Sequence, residues 1–173
     1  MTGVVTRIEE RAREEKEAYA HGEDRPLAGY AVLLTANLGL TAALVSVARR
    51  RGVGLPQRLR AADLALLGVA THKIARIVAK EPINSPLRAP FARYEGVSGP
   101  AELAEEVRGT GIRKAIGELI GCPFCIGEWI AVCLTAGLVM APRATRLVAT
   151  IFTTLTISDA LQFAYAKLEE TAA

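Results

Sequence analysis

Four stretches of the chain are apolar enough to leave water as helices. Pro26 to Ala48 contains no charged residue and exceeds the roughly 20 apolar residues that cross a hydrocarbon layer. It stops at Arg49, Arg50 and Arg51, then Gly52, Gly54 and Pro56, where charge and turn residues end a helix. Leu147 to Ala166 is apolar apart from Asp159, and Leu119 to Pro142 carries only Glu128, with Trp129 as an interfacial anchor. The fourth stretch, Asp63 to Lys80, starts apolar and then acquires His72, Lys73, Arg76 and Lys80. The pattern predicts an all-α integral membrane protein with about four spans, near 27–48, 63–80, 119–142 and 147–166. The alternative is three spans with 63–80 as an interfacial helix.

Between the second and third spans, residues 81–118 read as a polar loop. Tyr94 to Gly111, with Glu102, Glu105, Glu106 and several glycines, is expected to be solvated, with one short helix at most. The first 25 residues form a separate charged tail. Thr6 to Ala20 alternates Glu with Arg and Lys, and Glu9 faces Arg13 four residues on, which suits a solvated helix. Met1 to Glu17 lacks a short apolar core followed by a cleavage site, so no cleaved signal peptide is expected. Residues 26–173 form the membrane domain.

Composition agrees with this division. The 173 residues are 51% hydrophobic and 23% charged, with mean hydropathy +0.26, so the apolar residues are gathered into blocks. A net charge of +3 spread beside the apolar runs excludes nucleic acid as a partner. Four crossings place the tail, the 81–118 loop and the C-terminus on one side. That side holds the larger share of Lys and Arg and is expected to be cytoplasmic in a bacterial cell membrane, although Arg49 to Arg51 pull the other way. Gly39 with Ala43 permits close helix contact and hence a homo-oligomer.

Two clusters carry the candidate chemistry. His72, Arg76 and Lys80 recur every four residues on one helix face, with Lys73 on its flank. Charge in a membrane helix is costly and normally faces a partner, water or headgroups. Either these side chains snorkel at a helix end or, with Ser85 and Arg88 of the proline-rich Glu81–Phe91 segment, they hold an anionic lipid or ligand. The second cluster is Gly121-Cys122-Pro123-Phe124-Cys125, where Pro123 at a first helical position puts Cys122 at a helix N-terminus that favours thiolate. Cys122 and Cys125 supply half of a zinc site that His72 and Glu118, or a second copy of the protein, would complete. Alternatively, Cys122 is a nucleophile with Cys125 resolving and Glu118 or His72 moving the proton. Plain packing is the third reading. Cys133 is read as packing and His21 as solvated.

Thr71-His72-Lys73 with Arg76, Ser85-Pro86-Leu87-Arg88-Ala89-Pro90-Phe91, Gly117-Glu118-Leu119 and Cys122-Pro123-Phe124-Cys125 with Gly127 and Trp129 together resemble an uncharacterised bacterial membrane-protein family, a YjcA-like domain of unknown function. The resemblance spans about Ala61 to Lys167. It implies a multi-pass membrane protein, linked with sporulation in some spore formers, and brings no activity with it. From the residues themselves, a non-enzymatic binding or structural module is favoured over a thiol-disulfide oxidoreductase or other Cys-dependent enzyme, because the polar cluster is small.

Overall fold

The computed structural model describes residues 2–54, 56 and 58–172, without the side chains of residues 2–5 and 9. Its helices are α1 (Thr2–Ala20), α2 (Leu27–Arg50), α3 (Ala61–Lys80), α4 (Ser85–Arg88), α5 (Gly111–Gly121), α6 (Pro123–Met140) and α7 (Pro142–Ala172). A 3-10 turn at Pro82–Asn84 precedes α4, and strands β1 (Ala92–Gly99) and β2 (Glu102–Val107) form one antiparallel hairpin. The fold is helical, as expected, with this small sheet added. The Glu9–Arg13 pair falls outside the described side chains; Arg13 pairs with Glu17 at 3.0 Å.

The ends of α2 and α6 follow from local chemistry. At the C-terminus of α2, Gly52 takes φ +68°. This left-handed step turns the N–H of Gly52 to Arg49 O and that of Val53 to Ala48 O, both at 3.0 Å, satisfying carbonyls the helix leaves orphaned. The third span starts later than its composition suggests. Leu119–Gly121 complete α5, Cys122 is extended at φ −106° and ψ 111°, and Pro123 opens α6. The α7 helix starts earlier, at Pro142, and continues through 31 residues.

Among the described residues, α2, α6 and α7 are long and apolar enough to cross a membrane. The α3 helix has the length, but Asp63, Lys73, Arg76 and Lys80 interrupt its hydropathy. It nevertheless packs between α6 and α7. Leu67 and Ala70 of α3 meet Leu138 of α6 and Ala149 of α7 in the core, while Gly127 near the start of α6 faces Ala75 of α3, so α3 and α6 run antiparallel. At the starts of α3 and α7, Arg146 donates to the Asp63 carboxylate at 2.8 and 3.0 Å. Thr153 Oγ1 of α7 donates to Leu66 O of α3 at 3.1 Å.

Residue size is distributed as a bilayer requires. Fully buried positions are mostly small, with Ala70 and Ala149 at 0% exposure, which lets helices approach closely. Large apolar side chains such as Val32, Leu34, Leu38, Ile151, Leu155 and Leu161 point outward. In water such a surface would be an aggregation liability; against lipid it is ordinary.

The expected solvated loop at 94–111 is instead largely the hairpin. Gly99 pairs with Glu102 around a Pro100-Ala101 turn in which Ala101 has φ +57°. Register shifts at Tyr94/Gly96 and Val97/Gly99 break the alternation that would have announced strands. The hairpin docks on α5 where Gly117 is bare: a Cβ there would lie 2.6 Å from Val107 Cγ1 and 3.1 Å from Phe91 O. Gly117→Ala is therefore expected to lower stability by about 1–3 kcal/mol through overpacking and to speed amide exchange across β2, measured by thermal unfolding and hydrogen exchange in detergent.

Candidate functional site

The proline-rich segment after α3 closes the end of that helix. The last carbonyls of any helix lack intrahelical donors, and α3 has no capping glycine. Asn84 Nδ2 supplies one donor to Ile77 O at 3.1 Å. Arg88, 1% exposed, supplies donors to Val78 and to Glu81 just past the helix end. Its Nη1 donates to Val78 O at 2.7 Å and Glu81 O at 3.2 Å, and its Nη2 to Glu81 O at 3.1 Å. Nε and Nη2 also grip the Glu105 carboxylate of β2 at 2.5 and 3.2 Å, and Ser85 Oγ accepts from Nη2 at 3.5 Å. All five guanidinium hydrogens thus have acceptors within the chain. Ser85 and Arg88, expected at an anion site, are turned inward. Arg108 and Arg113 complete the cap by donating to Ala89 O at 2.7 Å and Pro90 O at 3.0 Å.

The basic stripe divides between two clefts. Each four-residue step on a 3.6-residue helix advances about 40°, so Lys80 has left the face of His72. His72, Lys73 and Arg76 line a cavity of about 540 Å³ between α3 and α7. There Lys73 Nζ pairs with Glu81 at 2.5 Å and Asp159 at 2.9 Å, and Arg76 pairs with Glu102. Two of the three Lys and Arg side chains of the stripe are thereby paired within the chain. Lys80 instead lines a cavity of about 650 Å³ bounded by α2, α5, α6 and the hairpin, together with Cys122, Cys125 and Glu118.

That second cavity holds the dithiol. Cys122 caps α6: its carbonyl accepts from the N–H of Cys125 and Ile126 at 3.1 Å, and its sulfur accepts from Cys125 N at 3.4 Å. The Cys125 thiol donates to Cys122 Sγ at 2.8 Å, and both cysteines are free thiols. Burial alone would raise the Cys122 pKa. Hydrogen bonds from the Cys125 thiol and from the backbone N–H groups of Cys125 and Phe124, with the Lys80 charge nearby, outweigh burial and hold it below the ordinary thiol value.

Glu118 is held at the same cavity by the Tyr30 hydroxyl, which donates to its Oε2. Lys114 of α5 donates to Asp24 O at 2.5 Å, and a Cβ on Gly29 would lie 2.7 Å from Ala115 Cβ, so α5 is fixed against the start of α2. The zinc set expected from sequence is not brought together, because His72 opens into the other cleft. Among the described residues no three His, Cys, Asp or Glu side chains form a group that could hold a metal ion. Cys133 is exposed on α6.

Sequence reasoning missed the α2 side of the cavity, to which Arg25, Tyr30 and Asn37 contribute. One signal was available: Asn37 is the sole carboxamide between Pro26 and Ala48.

The architecture defines a class, a helical protein with membrane-length helices and a polar cap carrying two thiols over a cavity. Residues 66–165 match the family described as "Protein of unknown function (DUF1360)", and the chain belongs to that family. It is also similar to the sporulation protein YjcA of Bacillus subtilis (strain 168), 33% identical over 86 residues that cover 48% of this chain and 73% of YjcA. No solved structure matches the chain.

Two outcomes follow from this geometry. Arg88→Met strands the Glu105 carboxylate and the α3 carbonyls, and is expected to cost about 3–5 kcal/mol, the range for breaking a buried pair, read as a lowered unfolding temperature in detergent. The alkylation rate of Cys122 should rise with pH through a midpoint below the usual thiol value of about 8.5, and Cys125→Ala should move that midpoint upward. Because the folded pKa is the lower one, the linked stability is present above the ordinary thiol pKa and is lost as pH falls through the lowered value.

Proposed function

We propose that this is a four-span protein of the bacterial cell membrane that works by thiol–disulfide exchange, with Cys122 attacking and Cys125 resolving. The observation that carries the reading is the Cys125 thiol donating to Cys122 Sγ at 2.8 Å at the N-terminus of α6. A thiol suited to resolving a mixed disulfide then neighbours a sulfur biased toward thiolate, which supports the reading. A metal-holding or anion-gripping module is less well supported, since the described residues give the sulfurs no third ligand and Lys73, Arg76 and Arg88 are engaged within the chain.

In the reaction, Cys122 thiolate attacks one sulfur of a partner disulfide; the partner S–S bond breaks and a mixed disulfide forms. Cys125 then loses its proton to the departing thiolate or, through water, to the Glu118 carboxylate. Its sulfur displaces the partner's remaining thiolate from Cys122. The partner is reduced by two electrons and the Cys122–Cys125 disulfide forms, each step being reversible.

In this reading α3 crosses the bilayer with the others, its Lys73 charge balanced by Glu81 and Asp159. The end bearing the N-terminal segment, the hairpin and the dithiol faces the cytoplasm by its greater share of Lys and Arg. Cellular thiols there return the pair to its reduced form. Cys125→Ser is expected to trap a mixed disulfide in cells, visible as a reductant-sensitive shift on gels, and Cys122→Ser to abolish it. A Cys125→Ser protein that carries no adduct under disulfide stress would overturn the proposal.

A further inference from the structure

Asn37, on α2, is 5% exposed, and its Nδ2 has no hydrogen-bond partner among the described residues. It lines the dithiol cavity, as does Trp129. A buried amide donor left unpaired is costly, and in hydrocarbon no water replaces the missing acceptor. A second cavity of about 400 Å³ between α2 and α6 shares Glu128 with the first and is walled mostly by apolar side chains such as Leu44, Val45, Val132, Ala136 and Val139.

The two cavities together offer a dithiol, an unpaired donor, an aromatic ring and an apolar cleft, with Glu128 common to both. Depth selects among ligands. Asn37 lies ten residues into α2, about 15 Å along its axis at 1.5 Å per residue. In the four-span reading this lies inside a hydrocarbon layer about 30 Å thick, on the same cavity as Cys122 and Cys125. A charged headgroup at that depth would be costly. A neutral head bearing carbonyl oxygens on an apolar tail meets every condition.

We propose that the α2–α6 cleft binds an isoprenoid quinone, with one ring carbonyl accepting from Asn37 Nδ2, the ring beside Trp129 and the tail between α2 and α6. Resting on the dithiol reading with its reversible exchange run from a partner dithiol to the Cys122–Cys125 disulfide, the quinone is the electron acceptor that regenerates that disulfide. The S–S bond forms between Cys122 and Cys125, the Cys125 S–H bond breaks, and two electrons pass to the quinone. Its two oxygens gain protons to give hydroquinone, one from the Cys125 thiol and one from water by way of Glu128. With Cys122 as thiolate, charge and hydrogen balance.

The test uses the full chain in detergent with decylubiquinone, whose fully substituted ring cannot be arylated by thiols. Trp129 is the single tryptophan, so its fluorescence reports occupancy. Saturable quenching is expected for the wild type. Asn37→Leu should raise the half-saturation concentration at least tenfold, and Gly39→Ala, at a position with nothing within 4 Å, should leave it unchanged. Equal quenching of wild type and Asn37→Leu would overturn the site, whatever Cys125→Ser traps in cells. Under anaerobic conditions one quinone should be consumed per two thiols lost, and none by Cys125→Ser. Normal quenching with both thiols retained would uphold the quinone site and overturn its coupling to the dithiol.

Discussion

The end of α3 needs donors, and Arg88 supplies them. A helix interrupted by Pro82 presents carbonyls with no N–H ahead of them. The guanidinium folds back onto Val78 and Glu81 while its other edge holds Glu105 of the hairpin. One side chain thus joins a membrane-length helix, the short α4 turn and the sheet. The hairpin then packs on the bare face of Gly117 in α5, and α5 ends directly before Cys122. The position of the dithiol is inherited through this chain of contacts. Arg suits the task better than Lys, because a planar fork satisfies several acceptors at fixed angles while an ammonium acts as a point charge.

Within the bundle the same logic applies to charge. Core positions are mostly alanine, so helices meet at short range and the interior has little room for unpaired ions. Three of the four α3 charges have a counter-ion on a neighbour or on the adjoining cap: Asp63 with Arg146 of α7, Lys73 with Asp159 of α7 and Glu81, Arg76 with Glu102 of the hairpin. The partners fix rotation and register about α3 in a way that alanine faces alone would leave loose. Whether such pairs add net stability depends on their desolvation; their geometric selectivity does not.

Much of the helical pattern was legible because membrane-length runs of apolar residues have few alternatives. The α2 boundaries came within two residues, since charge and Gly52 mark its end. The break at Cys122 was less visible: composition is apolar on both sides, and only Pro123 signals that one helix stops and another starts. The hairpin was hidden by its bulges, which destroy the two-residue period on which strand reading relies. For the site, Cys122, Cys125, Glu118 and Lys80 do converge on one cavity. His72 does not reach it, because helical drift carries it to another cleft, and Arg88, although it borders the cavity, has its guanidinium taken up by backbone carbonyls and Glu105. A sequence shows which side chains are capable of binding; it does not show which have already been used to satisfy the chain itself.

The location of the dithiol follows from what an N-cap can do at a membrane boundary. The first N–H groups of α6 are free of intrahelical acceptors and point toward the cap, where the cysteine sulfur receives the N–H of Cys125. Deeper in α6 the same sulfur would find those donors consumed by the helix and would be surrounded by hydrocarbon, which disfavours thiolate. Further out, in the cap, it would lose contact with the α2–α6 cleft. Position 122 is the single residue between α5 and α6, and so combines a helix terminus, a polar neighbour in Lys80 and an opening toward the bilayer-spanning interface. Cys125, one turn on, then lies within reach of Cys122 without any further loop to order, and its thiol is held there by the regular geometry of the helix.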